Sequence, residues 1–292
     1  MKVSMLLLSL WMLLPIASGV EELVFAEDSE WEIVSEGHQF AEGMAWDANG
    51  NFLFTDVPRN QLFRVDKRTG EKTLIDDETG RANGIMFGPD GKLYGCSRGA
   101  EGISRWEPKT WKRETIGLGG GSNDIAILGD GTVFFTDPQT SSVWTIAAGS
   151  EERKLARKLP WRPNGIGLSI DGKTLLVAEF DSGTVHGFEI GPDSRLTGEN
   201  GPAYRVAMPS DHLGRLDGMQ SLQDGRLMIG TALGTQIAPP VGKESDFELI
   251  LIPSPEGRPR CNYVRISPDN TWLYTAYAKD VLRRRLKPGF GK

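Results

Sequence analysis

The chain has 292 residues, 39% of them apolar and 36 of them Gly, which suits a turn-rich folded protein with a sizeable core and excludes general disorder. Its formal net charge is −6 and no basic stripe runs along it, which argues against nucleic acid as a partner. Only two cysteines occur, Cys96 and Cys261, in no zinc or haem spacing. They read as two buried thiols, although export would permit a disulfide.

The first element in chain order is a leader. Met1-Lys2, an uncharged run over 3–20 and the small residues Ala17-Ser18-Gly19 have the basic end, apolar stretch and exit of a secretory signal over residues 1–19. The rival, a retained anchor, has only 18 uncharged residues, the short end for spanning a bilayer, with Pro15 near its exit. Removing the leader takes away Lys2 alone and leaves 32 basic against 39 acidic residues, a charge of −7. The mature chain, 20–292, is then a secreted or periplasmic single domain without a transmembrane segment.

From residue 42 onward one pattern is written six times. A polar head opens a short strand, and a tight turn follows seven residues later, before a second strand. The heads are Glu42-Gly43, Asn83-Gly84, Asn123-Asp124, Asn164-Gly165, Asp217-Gly218 and Asn262-Tyr263. The turns are Asn49-Gly50, Asp90-Gly91, Asp130-Gly131, Asp171-Gly172, Asp224-Gly225 and Asp269-Asn270. The steps between heads are 41, 40, 41, 53 and 45 residues, and no helical stripe interrupts them. A period near 40 made only of strands is that of a propeller blade of about four strands.

The first copy resolves into strands over 43–46, 52–55, 61–65 and 72–75, and copies two and three supply third strands over 103–106 and 142–146. Copy four carries an extended hairpin tip over 191–202, and copy five a loop at 239–242 before a strand over 247–252. Copy six provides strands over 262–266, 272–276 and 281–286 and then ends without a fourth. A lone segment over 31–35 completes that last blade and removes its free edge. The expected fold is therefore all-β, a six-bladed β-propeller of four-stranded antiparallel blades closed by an N-terminal strand. The run Arg283-Arg284-Arg285 reads as the solvated face of a strand.

First strands of blades line the central tunnel, so the six heads form a ring at one mouth: two acids and four amides. Inward oxygens of this kind describe a hard-cation site, with two carboxylates matching a divalent charge. Zinc would recruit His or Cys, which the ring lacks. Asn-Gly and Asp-Gly also shape turns by themselves, and that bland reading suits Asn83 and Asn262 best. It suits Glu42 least, because Glu has no comparable turn role. Asn123, Asn164 and Asp217 read as ligands.

At these residues the chain resembles the regucalcin (senescence marker protein) and gluconolactonase family of six-bladed propellers. The resemblance rests on Ala41-Glu42-Gly43-Met44-Ala45-Trp46, on Arg162-Pro163-Asn164-Gly165-Ile166 with Asp171-Gly172-Lys173-Thr174-Leu175, and on Leu216-Asp217-Gly218-Met219. It implies a divalent cation in the tunnel, Ca2+ or another such as Zn2+, Mn2+ or Mg2+, and hydrolysis of sugar lactones. It implies Glu42, Asn164 and Asp217 as ligands, with Asn123 a fourth ligand or a substrate contact, and Asp217 as catalytic base. The regucalcins carry an arginine two residues before the equivalent of Asn123, where this chain has Gly121, and they are mostly cytosolic.

The remaining candidates are weaker. His212, five residues before Asp217, is a second candidate for proton transfer and a substrate contact, His38 a rim residue, and His186 a structural one. Asp56, Asp137 and Glu179 end second strands at the mouth, as turn residues or as orienting groups behind the ligands. Trp46 and Trp161 supply either an apolar wall or core packing. No Gly-x-Ser-x-Gly elbow supports a Ser-His-Asp nucleophile, and Gly119-Gly120-Gly121 reads as a mouth loop, since no Lys-Ser/Thr follows it. The expected activity is that of an exported metal-dependent lactonase acting on a small lactone or ester. The alternatives are an organophosphate or ester hydrolase on the same metal site, and a ligand-binding propeller with a structural calcium.

Overall fold

The computed structural model describes residues 17–99, 102–198, 201–209 and 213–292. Its six sheets are six blades in chain order, each an antiparallel meander. Blade one comprises Ala41–Trp46, Phe52–Asp56, Gln61–Val65 and Lys72–Asp76. Blade two runs Ala82–Phe87, Leu93–Ser97, Ile103–Glu107 and Lys112–Ile116, and blade three Ile125–Ile127, Val133–Asp137, Ser142–Ile146 and Arg153–Lys158. Blade four has Pro163–Leu168, Thr174–Glu179 and Thr184–Ile190, and the extended tip becomes two short strands, Leu196–Thr197 and Pro202–Arg205, both pairing with Thr184–Ile190. Blade five is Met219–Ser221, Leu227–Thr231, Gly234–Ala238 and Ile250–Pro253. Blade six is Tyr263–Ile266, Trp272–Tyr277 and Asp280–Arg285, completed by Glu32–Ser35 pairing antiparallel with Asp280–Arg285. The expected all-β propeller and its closing strand are both present.

First strands of consecutive blades adjoin all the way round, and that of blade one meets that of blade six. The buried apolar residues fall into six clusters, one for each seam between neighbouring blades. Phe54 and Phe63 of blade one, for example, pack with Tyr274 and Val281 of blade six. A blade buries both faces against its neighbours, so its inner strands read as continuous apolar runs such as Phe52–Asp56, buried throughout.

The six turns share one device. Gly50, Gly91, Gly131, Gly172, Gly225 and Asn270 all adopt positive φ, from 55° at Asn270 to 93° at Gly131. Each donates its N–H to the carbonyl three residues earlier, as Gly50 does to Asp47 at 2.9 Å. With Asp47 N–H bonded to Asn51 O, blade one's loop is a three-residue type I turn ending in a left-handed residue, one residue longer than a bare Asp-Gly hairpin.

One helix among the described residues, Ala17–Val24, spans the expected leader exit, and the leader expected over 1–19 lies mostly outside the described residues. Val24 and Phe25 pack into the seam of blades five and six. Arg284 is a correction: it is not a solvated residue but is buried, stacked 4.2 Å from the Phe25 ring and donating to Ser29 O at 3.0 Å. Alternation along the strand turns its side chain inward, between two outward neighbours. No described helix is long and apolar enough to cross a membrane.

Candidate active site at the tunnel mouth

The heads are held by bonds between neighbouring blades. Gly84 N–H donates to Asn123 O at 2.9 Å and Gly218 N–H to Asn262 O at 2.9 Å. Thr55 Oγ1 donates to Asn83 O at 3.0 Å and Thr136 Oγ1 to Asn164 O at 2.6 Å. Such spacing needs a glycine after the head. A Cβ on Gly43 would strike Asn83 O, and one on Gly165 would strike Asp217 O. The Gly165→Ala variant is therefore expected to push the Asp217 backbone outward. It should cost on the order of 2 kcal/mol in urea unfolding and weaken divalent-ion binding in calorimetry.

Two heads break the glycine rule, and their side chains meet. Asp124 and Tyr263 stand where the other copies have Gly, both are buried, and Tyr263 OH donates to Asp124 Oδ1 at 3.0 Å across 139 residues of sequence. Asp124 also accepts from Ile125 N at 2.9 Å and Ile166 N at 3.2 Å. Arg265 donates to Tyr263 OH at 3.4 Å. Burial raises the Asp124 carboxyl, opposed chiefly by the Arg265 charge. The exceptions were visible in the sequence, but their pairing was not.

All six heads are buried: Glu42 at 2% exposure, Asn83 at 3%, Asn123 at 6%, Asn164 at 7%, Asp217 at 5% and Asn262 at 0%. Burial holds the Glu42 carboxyl well above the ordinary range, and repulsion from Asp217 and then Asp124 adds to it. Burial raises Asp217 to about 7, against the pull of Arg260, with Asp124 adding to the rise and Arg98 and a hydrogen bond from Asn164 opposing it. Asn164 Oδ1 is buried without a protein partner. The structure thus brings Glu42, Asn164 and Asp217 to one place. Asn123 lines a small cleft with Arg98, Gly121, Asp137 and Gln139, and that cleft contains none of the trio. Asn262 is spent elsewhere, its Oδ1 accepting from Arg260 Nε at 3.0 Å and its amide donating to Ala41 O at 3.4 Å.

Two buried carboxylates, with an unmet amide oxygen between neighbours that repel each other, form a donor set that fits a divalent ion bound through oxygen. Among the described residues no cluster of three His, Cys, Asp or Glu offers a rival centre.

Several other candidates sit elsewhere than expected. His38 is no rim residue; it is buried in the seam of blades six and one, Nδ1 3.3 Å from Asp56 Oδ2 and Nε2 2.7 Å from Ser35 Oγ. This is a Ser-His-Asp chain that sequence motifs did not suggest. Lys72 Nζ donates to Ser35 Oγ at 2.9 Å, and the serine is 5% exposed, so the chain latches the closing strand rather than meeting a substrate. Ser35→Ala should keep turnover within about twofold while costing about 1 kcal/mol in denaturant unfolding.

Asp56 also caps Gln39 N and Phe40 N, and Asp137 caps Gln139 N and Thr140 N, so both shape turns. Glu179 bonds His186 at 3.0 Å, and Trp161 stacks on that histidine at 4.5 Å rather than walling the tunnel. Trp46 ends the strand that carries Glu42 and lines a cavity of about 630 Å³ with Phe52, Trp272 and Tyr274, which contains none of the heads. Cys96 and Cys261 are free and buried, as the sequence suggested. His212 lies outside the described residues.

The curated gluconolactonase of Zymomonas mobilis is 27% identical over 298 residues, covering 88% of this chain and 81% of its own. A Xanthomonas campestris gluconolactonase structure superposes with TM-score 0.75 at 20% identity, covering 89% of this chain and 91% of that one. A regucalcin from Agrobacterium tumefaciens, described as calcium-binding, gives TM-score 0.67 at 14% identity over 89% and 96% of the two chains. Both superpositions show the shared propeller. Residues 40–261 match the family described as SMP-30/Gluconolactonase/LRE-like region, and on that span, which contains five of the six heads, the chain belongs to this family.

Proposed function

We propose that this chain is an exported, divalent-metal-dependent hydrolase that opens a sugar-derived lactone at the tunnel mouth, with Asp217 as base. The observation that carries the reading is the buried pair Glu42 and Asp217 beside the unpartnered Asn164 Oδ1. Buried like charges next to an unmet acceptor are stable together around a cation. Family membership and the gluconolactonase of Zymomonas mobilis point to the same chemistry.

Glu42, Asn164 and Asp217 would hold the ion, with Asn123 as a fourth ligand or a substrate contact. The oxygen-only set favours Ca2+ over the other divalent candidates. When bound, a divalent ion supplies Lewis-acid polarisation of an ester carbonyl. The protein's own part is proton movement. Asp217 accepts a proton from the water that adds to the lactone carbonyl carbon, the ring C–O bond breaks, and the proton returns to the departing ring oxygen to give the hydroxy acid. Asn164 fixes the Asp217 carboxylate during this exchange.

Export is supported by the apolar run behind Met1-Lys2, and cleavage after Gly19 leaves Val24 and Phe25 in their seam. The test is proton release from a panel of lactones, carboxylic esters and phosphotriesters, with metal-free protein and with added Ca2+, Mn2+, Mg2+ or Zn2+. The expected result is lactone turnover that requires the ion. Turnover confined to phosphotriesters would move the site to organophosphates, and ion binding without any turnover would leave a ligand-binding propeller.

A further inference from the structure

Two arginines outside the six heads stand at the same mouth. Arg98 follows the second strand of blade two and lines the cleft that contains Asn123 and Gly121. Arg260 lies on the connection into blade six, its Nε on Asn262 Oδ1 at 3.0 Å and its guanidinium 5.5 Å from the Phe40 ring centre. The charges of both reach Asp217, that of Arg260 more strongly.

Arg162 is paired with Asp181 at 2.7 Å, Arg59 with Asp56 at 3.6 Å and Arg258 with Asp280 at 3.0 Å. Arg98 and Arg260 have no carboxylate within ion-pair distance among the described residues. The acids near them are already committed. Asp124 is held by Tyr263 and Arg265, and Asp137 bonds Gln139 N, Thr140 N and Thr140 Oγ1. On the lactonase reading Glu42 and Asp217 would balance a divalent ion. What remains at the entrance is the positive charge of two guanidiniums, whose planar forks suit carboxylate or phosphate oxygens.

We propose that Arg98 and Arg260 are a substrate clamp, and that the preferred substrate is a sugar lactone carrying its own anionic group, a carboxylate or a phosphate. The assignment rests on the lactonase reading and narrows it. A neutral lactone would leave both guanidiniums unanswered at the moment the mouth is covered. An anionic one gains contacts that also steer its approach.

The test compares kcat/KM for gluconolactone, glucaro-1,4-lactone and 6-phosphogluconolactone in the Ca2+-loaded protein and in Arg98→Ala, Arg98→Lys and Arg260→Ala. At least one charged lactone is expected to exceed the neutral one by tenfold or more, and the larger of the two ratios identifies carboxylate or phosphate. Arg98→Ala should bring the ratio close to one through KM, and Arg98→Lys should restore part of it. Calorimetry on Glu42→Gln/Asp217→Asn, which lacks the two carboxylate charges, reads the clamp without turnover. It should bind the charged lactone at least tenfold more tightly than the neutral one, less so in 0.5 M salt, and lose the difference when Arg98→Ala is added.

A wild-type ratio at or below one overturns the clamp. So does an equal loss for all lactones in Arg98→Ala, or no discrimination in calorimetry. Absence of all lactone turnover overturns the hydrolase reading instead, while the calorimetric result still decides whether the arginines select anions.

Discussion

Asp217→Asn is expected to lower lactone turnover by about a thousandfold or more while leaving the fold intact. Removing a positioned base costs on the order of 10²–10⁴ in rate, and on the proposed reading the same substitution also removes one of two charges that would match the ion. The two effects separate experimentally. Raising Ca2+ to saturation restores what was lost in ion affinity and leaves the loss of the base. Stability moves the other way from activity. The wild-type carboxylate is buried among Glu42 and Asp124, which both repel it, so the ion-free asparagine variant should melt at a higher temperature than ion-free wild type at pH 8. A variant that loses activity only because it unfolds would melt lower.

The second large effect is a pH dependence that the ion reverses. Glu42 and Asp217 have folded-state values above their unfolded ones, so the folded protein binds their protons more tightly. The stability they contribute is fully present below about pH 4 and is lost as pH rises through the folded values. For Asp217, whose value burial raises from 3.8 to about 7, the loss falls within that interval. Ion-free protein should therefore melt higher at pH 5 than at pH 8. Asp56, Asp171 and Asp269 have lowered values, so their contribution is lost only in more acid solution and does not oppose this trend. Saturating Ca2+ should raise the pH 8 melting temperature more than the pH 5 one, because it binds the ionised pair. Scanning calorimetry of wild type and Asp217→Asn, with and without Ca2+, checks both signs, and the variant should show the flatter profile.

Much of this was legible in the sequence because a propeller writes its geometry locally. Every blade needs a left-handed residue at the turn and, in four of six copies, a glycine behind the head, so both recur at a fixed offset. The closing strand was legible from the missing fourth strand of copy six. Groups that meet across the ring were not. Tyr263 and Asp124 are 139 residues apart, and Ser35, His38 and Asp56 join at a seam that exists only once the ring has closed. Arg98 and Arg260 lie on connections outside the repeat, where no period marks them, and only the converging strands put their charge beside Asp217. Arg284 shows the same limit: a run of three basic residues looks solvated until the N-terminal segment folds over one of them.

A crystal structure of the Ca2+-loaded protein, with the ion located by its anomalous signal, tests the central claim most directly. The expected result is one ion on the tunnel axis with oxygens of Glu42, Asn164 and Asp217 at about 2.3–2.6 Å. An ion bound away from that trio, or the trio found without an ion at saturating Ca2+, would contradict it.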